Sequence, residues 1–291
     1  MKVIKFVLIA ALFVAPACRR ATAPEKGVAT PSVALSRDRV ALGSPVDITY
    51  RFVVAPDAPP FTEKLTVFVG VVDTDEQLMW TEDHQPPIPT TEWKPNQTIT
   101  YTRTVFVPVY PYVGEAAIHM GLYSTATQKR VPLNGNSAGQ HAYKVARFQL
   151  LPQTENVYTV FKEGWHPAEV AQPNSLVEWQ WTKKTAVLSF RNPKKECLFY
   201  LDLDNPGTVL KDPQQVRVRL GSQVVDEFTL TPGRQILRKI VLKPDQLGTS
   251  DLAELSIEVD RTFVPALQMP GSKDPRELGV RVFHAFVQPV T

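Results

Sequence analysis

The residues best able to do chemistry crowd into one stretch, GWHPAEVAQPNSLVEWQWT, Gly164 to Thr182. It holds three of the five tryptophans, Trp165, Trp179 and Trp181, together with His166, Glu169 and Glu178. Aromatic faces suit the C–H faces of sugars, and Glu178 or His166 could hydrogen-bond hydroxyls. Trp165, Trp179, Trp181 and Glu178 are therefore a candidate ligand-binding set. Spacing argues for another use. Trp179 and Trp181 stand two residues apart, so on a strand they share one face while Glu178 and Gln180 share the other. Two such aromatics, each burying roughly 150–250 Å², are expected to pack the core of a sandwich, with Trp165 covering the domain edge. Packing is the reading taken; contact with sugar or with a protein partner is the alternative.

Asp202 and Asp204 in LDLDNPG also share a strand face, opposite Leu201 and Leu203. Paired carboxylates could ligate Ca²⁺, which makes Asp202 and Asp204 weak metal candidates. Residues two apart on one strand do not face each other across a glycosidic bond. A solvated strand end before the turn Asn205-Pro206-Gly207 is the expected role. Asp274 and Arg276 in SKDPRELGV read as a structural salt bridge inside a single helical turn. His84, His119, His141, His166 and His284 lie on separate segments, and no Ser-His-Asp order can be argued from sequence, because triads converge only in space. The chain has no Gly-rich phosphate loop and no nucleophile elbow. Its two cysteines offer no zinc-ligand spacing, and Cys197 reads as a small buried apolar residue. No catalytic residue and no cofactor is assigned. The proline-rich run LMWTEDHQPPIPTTEW, Leu78 to Trp93, reads as an exposed loop between strands that could meet a partner.

These residues sit in a chain of 291, of which 43% are hydrophobic and 21% charged, a globular composition. The 26 prolines outnumber the 14 glycines, and proline stops helices and blocks central-strand pairing. The N-terminus places Lys2 and Lys5 before an apolar run, Phe6 to Val14, and then Ala15-Pro16-Ala17 before Cys18. That order is a secretory signal peptide, 1–17; the run is too short for a permanent membrane span. The net charge is +3, and without Lys2 and Lys5 the remaining 30 basic and 29 acidic residues leave about +1. Such a balance excludes a nucleic-acid binder, which needs a strong basic face.

Alternation of apolar and polar residues sets the architecture. VDITYRFVV, KLTVFVGVV, TITYTRTVFV, EAAIHMGLY and AYKVARFQLL give one series of strands. LVEWQWT, AVLSF, CLFYLDLD, QVRVRLG, QVVDEFTL, QILRKIVL, AELSIEVD and ELGVRVFHAFV give a second. Helical periodicity is nearly absent; KPDQLG and DPREL could each form one turn. The expectation is an all-β protein with two antiparallel β-sandwich domains. Its parts are a signal peptide (1–17), a tether (18–30), an immunoglobulin-like sandwich (31–152) and a jelly-roll-like sandwich (155–291).

Three resemblances add to this. VAPAC before and including Cys18 resembles the lipobox of bacterial lipoproteins, with Ala15 and Pro16 as departures, and implies lipid attachment at Cys18; plain cleavage after Ala17 is the alternative. GWHPAE, EWQWT, VRVRLGSQVVDEFTL and TFVPALQMPGSKDPRELGVRV resemble a β-sandwich domain found beside bacterial glycosyltransferases and in envelope glycan loci. The matching residues are Gly164-Trp165, Trp181-Thr182, Val216–Val225, Phe263–Ala266, and Asp274, Arg276, Leu278, Gly279 and Val280. MGLYSTATQKRVPLNG, Met120 to Gly135, is similar to a run in extracytoplasmic domains of polytopic glycan transferases, with Ser124 in place of Asp and Gln128 in place of Gly. The resemblances imply an envelope context without a catalytic motif. The expected protein is a non-catalytic envelope lipoprotein, exported and held to a membrane through lipid on Cys18. It would bind or scaffold near envelope polysaccharide or an envelope protein, and an accessory module or enzyme acting on carbohydrate is the alternative.

Overall fold

The computed structural model describes residues 25–171 and 177–290. The signal peptide, Cys18 and most of the tether lie outside them. Ten strands build the first pair of sheets: β1 (Ala29–Leu35), β2 (Arg39–Ala41), β3 (Pro45–Val54), β4 (Thr66–Val72), β5 (Leu78–Thr81), β6 (Thr98–Phe106), β7 (Gly114–Tyr123), β8 (Arg130–Val131), β9 (Ser137–Gly139) and β10 (Ala142–Leu151). One sheet runs β1-β3-β6. The other runs β2-β10-β7-β4-β5, with β8 on β7 and β9 on β10. β2 lies parallel to β10, the one departure from antiparallel pairing among the described residues. β1 and β2 are close in sequence yet join different sheets, as in immunoglobulin-like sandwiches. β1 starts inside the stretch read as tether: Val28 N–H donates to Pro132 O and Asn134 N–H to Ala29 O, 3.0 and 2.8 Å. Between the sheets lie Tyr50, Phe52, Ile99, Ile118, Met120, Leu122 and Leu150, all under 2% exposed.

Ten more strands build the second sandwich: β11 (Thr159–Phe161), β12 (Glu169–Val170), β13 (Glu178–Trp181), β14 (Thr185–Arg191), β15 (Cys197–Asp204), β16 (Gln214–Leu220), β17 (Gln223–Leu230), β18 (Ile236–Leu242), β19 (Leu252–Val259) and β20 (Arg281–Pro289). Its sheets run β11-β14-β19-β16-β17 and β12-β13-β20-β15-β18. β16 shows why these segments are strands. Val216, Val218 and Leu220 are buried, while Gln215, Arg217 and Arg219 point away from the core. Phe199, Leu201, Leu203, Leu188, Leu255 and Ile257 fill the interior. Cys197 lies among them, fully buried, and burial raises its thiol to about 11.

Among the described residues helix is confined to single turns, α1 (Pro244–Leu247) and α2 (Pro265–Gln268), with 3-10 turns at Thr90–Glu92 and Gln153–Glu155. KPDQLG forms its turn, but DPREL does not: the helical turn falls in FVPALQ, and Pro275 lies in extended chain. The run Leu78–Trp93 is also more ordered than an exposed loop. β5 pairs with β4, His84 and Trp93 are buried, and the Trp93 indole donates to Ile88 O at 2.9 Å. No helix among the described residues is long and apolar enough to cross a membrane.

Gln128 sits where the resembling run has glycine, and its φ is +59°. It closes the Ser124–Gln128 turn, donating its N–H to Ser124 O at 2.8 Å. A side chain in left-handed backbone costs about 1–2 kcal/mol, against roughly 0.5–1 kcal/mol of extra unfolded-state entropy for glycine. Gln128→Gly is therefore expected to stabilise the first sandwich by about 0.5 kcal/mol, read as a higher urea midpoint. An unchanged or lower midpoint contradicts the strain.

Candidate functional site

The tryptophans of Gly164–Thr182 serve two different places. Trp165 lies against the main core of the second sandwich; its indole donates to Val187 O at 2.7 Å, and its ring meets Phe161 edge-on at 4.5 Å. The backbone beside it is crowded. Gly164 has φ +82°, and a Cβ there would stand 1.9 Å from Thr185 O. Lys183 N–H donates to Gly164 O, and Gly279 N–H to Thr182 O, 2.8 and 2.6 Å. A Cβ on Gly279 would stand 2.5 Å from Thr182 Oγ1, which accepts from Val280 N–H. His166 is buried, with its N–H on Trp181 O and its ring Nε2 2.7 Å from Glu277 O. Phe263 and Leu278 form a bridge beside it, and Trp181 meets Phe263 edge-on at 5.7 Å. Arg276 binds Asp274 through Nε and Nη2 and reaches Glu169 Oε1 at 2.7 Å. That arginine holds the Asp274 carboxyl below its ordinary range. Gly164-Trp165, Trp181-Thr182, Phe263, Asp274, Arg276, Leu278, Gly279 and Val280, which carry part of the resemblance, thus meet at one end of the sandwich, while Val216–Val225 forms the β16–β17 hairpin away from it.

Trp179 and Trp181 do share a face, but it is not the core face. Val280 and Val282 point inward, so Arg281 between them points out. Trp181 is opposite Arg281 in the ladder. The two tryptophans therefore lie on the outer side of β13, where Phe263, Leu278, Val209 and Leu210 cover them as a small separate cluster. Period-two spacing placed them together without saying on which side. Arg281 fills the space a sugar would need, with its guanidinium 5.0 Å from the Trp179 ring and 5.4 Å from Phe283. Glu178 is exposed on the other side of the strand.

Asp202 and Asp204 separate. The expectation of a solvated strand end fails for Asp204, which is buried and takes both Nε and Nη2 of Arg281 at 2.8 and 2.6 Å. A bulge in the β15–β20 ladder follows Asp202, whose carboxylate accepts from Gln235 and lies 3.2 Å from His284 Nδ1. No group of three or more His, Cys, Asp or Glu side chains among the described residues is arranged to hold a metal. Phe106 of β6 stacks on His284 at 3.7 Å and 8°, and Lys239 pairs with Asp47 of β3 at 2.7 Å, so the first sandwich contacts this outer face.

The feature that sequence reasoning missed lies on the opposite sheet. A cleft of about 260 Å³ is lined by Lys184, Thr185, Gln215, Arg217, Glu227, Glu258, Val259 and Asp260. Its floor is a register row across four strands. Thr185 of β14 faces Glu258 of β19, Glu258 faces Arg217 of β16, and Arg217 faces Glu227 of β17. A second row sets Gln215 between Asp260 and Thr229: Gln215 N–H donates to Asp260 Oδ1 at 2.9 Å, and its side-chain amide to Thr229 Oγ1 at 3.0 Å. Arg217 binds Glu227 through Nε and Nη2, 3.3 and 2.9 Å, and Arg219 binds Glu258 at 3.0 Å. The signal was present in the sequence. Gln215, Arg217 and Arg219 alternate on one strand, Ser256, Glu258 and Asp260 on and just beyond another, and these positions face away from the core.

Glu227 and Glu258 flank Arg217 two strand spacings apart, roughly 9–10 Å, near the separation of an inverting glycosidase pair. Chemistry does not follow the spacing. A general acid needs a raised pKa, and the hydrogen bond from Arg217 lowers that of Glu227. Burial does raise Glu82 and lower His84 in the first sandwich. There the His84 ring is used up, Nε2 on the Tyr101 hydroxyl and Nδ1 on Glu82 O, 2.8 Å each, and the ring packs edge-on to Tyr50 in the core.

No protein-family model matches the chain, and no curated protein matches it. Solved structures similar to it include a family GH115 4-O-methyl-α-glucuronidase with specificity for decorated arabinogalactans, 21% identical over 47% of this chain and 18% of that one, TM-score 0.31. A Bacteroides uniformis β-glucuronidase is 9% identical over 90% of this chain and 30% of that one, TM-score 0.30. The Bacteroides ovatus mixed-linkage glucan utilization locus protein SGBP-B, in complex with a mixed-linkage heptasaccharide, is 10% identical over 86% of this chain, TM-score 0.25. The chain spans 51% of that protein's length.

Gly164 supplies the test of the crowded end. Gly164→Ala is expected to cost at least about 2 kcal/mol by urea denaturation. Gly221→Ala, at φ +56° with nothing within 4 Å of the added Cβ, should cost about 1–2 kcal/mol from backbone alone. Equal losses in the two variants would remove the steric role of Gly164.

Proposed function

We propose that the chain is an exported, non-catalytic binding protein, held to a membrane through lipid on Cys18, whose second sandwich binds polysaccharide at the cell envelope. The observation that carries this reading is the polar row Thr185–Glu258–Arg217–Glu227 in a cleft where Val259 is the sole apolar lining residue. A cleft whose lining residues are polar or charged except for Val259 is poorly suited to a lipid or to the side chains of a hydrophobic peptide. It offers hydroxyl, amide, guanidinium and carboxylate groups to a ligand rich in hydroxyls. The Arg217–Glu227 pair is solvent-exposed and adds little to stability, so stability alone does not account for it. Sugar contact thus moves from Trp165, Trp179, Trp181 and Glu178, where Arg281 and the covering loops occupy the ring faces, to the opposite sheet. The spacing of Glu227 and Glu258 favours a second reading, a carbohydrate-active enzyme; the arginine pairing that keeps Glu227 ionised counts against it.

Two measurements test the proposal. On a glycan array the chain should bind at least one polysaccharide, and Arg217→Ala should weaken that binding about tenfold, near 1.4 kcal/mol, with the fold unchanged by circular dichroism. Binding that survives the substitution removes the cleft; hydrolysis of the bound glycan favours the enzyme. Metabolic labelling with a fatty-acid probe should mark the full chain and spare Cys18→Ser. Equal labelling of both excludes the anchor.

A further inference from the structure

We infer that the cleft selects uncharged polysaccharide and discriminates against polyuronates and sulfated chains; this rests on the binding reading above. The lining carries three carboxylates, Glu227, Glu258 and Asp260, against two cations, Lys184 and Arg217. Each carboxylate already has an arginine: Arg217 on Glu227, Arg219 on Glu258, and Arg261 on Asp260 at 3.2 Å. Arg261 is shared further with Asp212 at 3.6 Å. Arg217 is therefore committed, and an acidic polymer would have to displace a carboxylate to reach it. Lys184, which has no carboxylate partner among the described residues, is the one uncommitted cation and leaves the lining, three carboxylates against two cations, short of a cationic site.

Pairing leaves part of each group unused. A carboxylate has about four lone-pair sites and a guanidinium five N–H donors. The Arg217–Glu227 contact uses two of each. What remains along the row is an alternation of acceptor and donor: Glu258, Arg217, Glu227. A hydroxyl both donates and accepts, so neighbouring hydroxyls can answer each position in turn. A ligand carboxylate or sulfate only accepts; it would find the arginine but meet the free lone pairs of Glu227 and Glu258 on either side. Gln215 and Thr229 extend the same dual chemistry along the parallel row. Four adjacent strands give the row a length of roughly 14 Å, which suits an extended chain rather than one sugar unit. No aromatic ring lines the cleft, so affinity comes from hydrogen bonding and is modest.

The full chain in detergent is titrated with a soluble neutral glucan or galactan and with a polyuronate, each at low and high salt. Expected is neutral-chain binding that shifts less than about twofold between 50 and 500 mM salt, since no net charge is neutralised. It should fall about tenfold in Glu258→Gln and again in Arg217→Ala. Circular dichroism of both variants checks folding, and Glu115→Gln on the first sandwich serves as the neutral control. Binding of the polyuronate alone, weakening steeply with salt, overturns the selectivity and leaves the binding reading standing. Neutral binding that is unchanged in both cleft variants overturns the site. Binding of no polysaccharide overturns the proposed function itself.

Discussion

The second sandwich depends on one place where backbones touch without room for a side chain. Gly164 presses on Thr185 and Ala186, Gly279 presses on Thr182 and Lys183, and Thr182 bonds to Val280 in both directions. Three segments far apart in sequence are thereby fixed in mutual register: the start of the domain, the β13–β14 corner, and the chain entering β20. The consequences run outward. Lys184 O accepts from Val259 N–H, which sets β14 against β19 so that Thr185 faces Glu258. The polar row begins at that pair. Steric exclusion at two glycines thus decides which hydroxyl and which carboxylate become neighbours in a cleft on the sheet surface.

The same corner explains why so many unusual residues crowd one stretch without making a site. His166, Trp165 and Gln180 each spend their polar atoms on backbone carbonyls, of Glu277, Val187 and His166. A corner made of short strands leaves many carbonyls unpaired by ladders, and side chains with ring or amide N–H groups satisfy them. Asp274 and Arg276 do the equivalent work with charge, tying the loop that contains α2 to β12 through Glu169. Residue types that suggest catalysis here replace missing sheet hydrogen bonds.

Much of the fold was legible because strand burial has a period of two. CLFYLDLD and QVVDEFTL match β15 and β17 residue for residue, and TITYTRTVFV overruns β6 by one. Short strands such as β2, β8 and β12 were not legible, since two or three residues hold no period. Period two also cannot say which face is inside. For β13, four residues long and bordered by covering loops, the aromatic face turned out to be the outer one. The cleft was partly legible: the alternation in QVRVRLG and LSIEVD marks an outward polar face, but the pairing of Glu258 with Arg217 and of Arg217 with Glu227 depends on strand order, which no local pattern carries.

Charge alternation across the row also bears on how such a surface coexists with solubility and sheet edges. Like charges placed opposite one another destabilise a ladder, and opposite charges suit it, so Glu258, Arg217 and Glu227 satisfy the sheet as they stand. The arrangement that suits the ladder is also one that presents donors and acceptors in turn. A surface that bound acidic chains would require cations adjacent across strands, and the ladder would then resist its own assembly. A paired row avoids that conflict: it suits the ladder, stays close to neutral, and leaves hydrogen-bonding capacity on its outer side, the capacity on which the proposed binding of an uncharged chain rests.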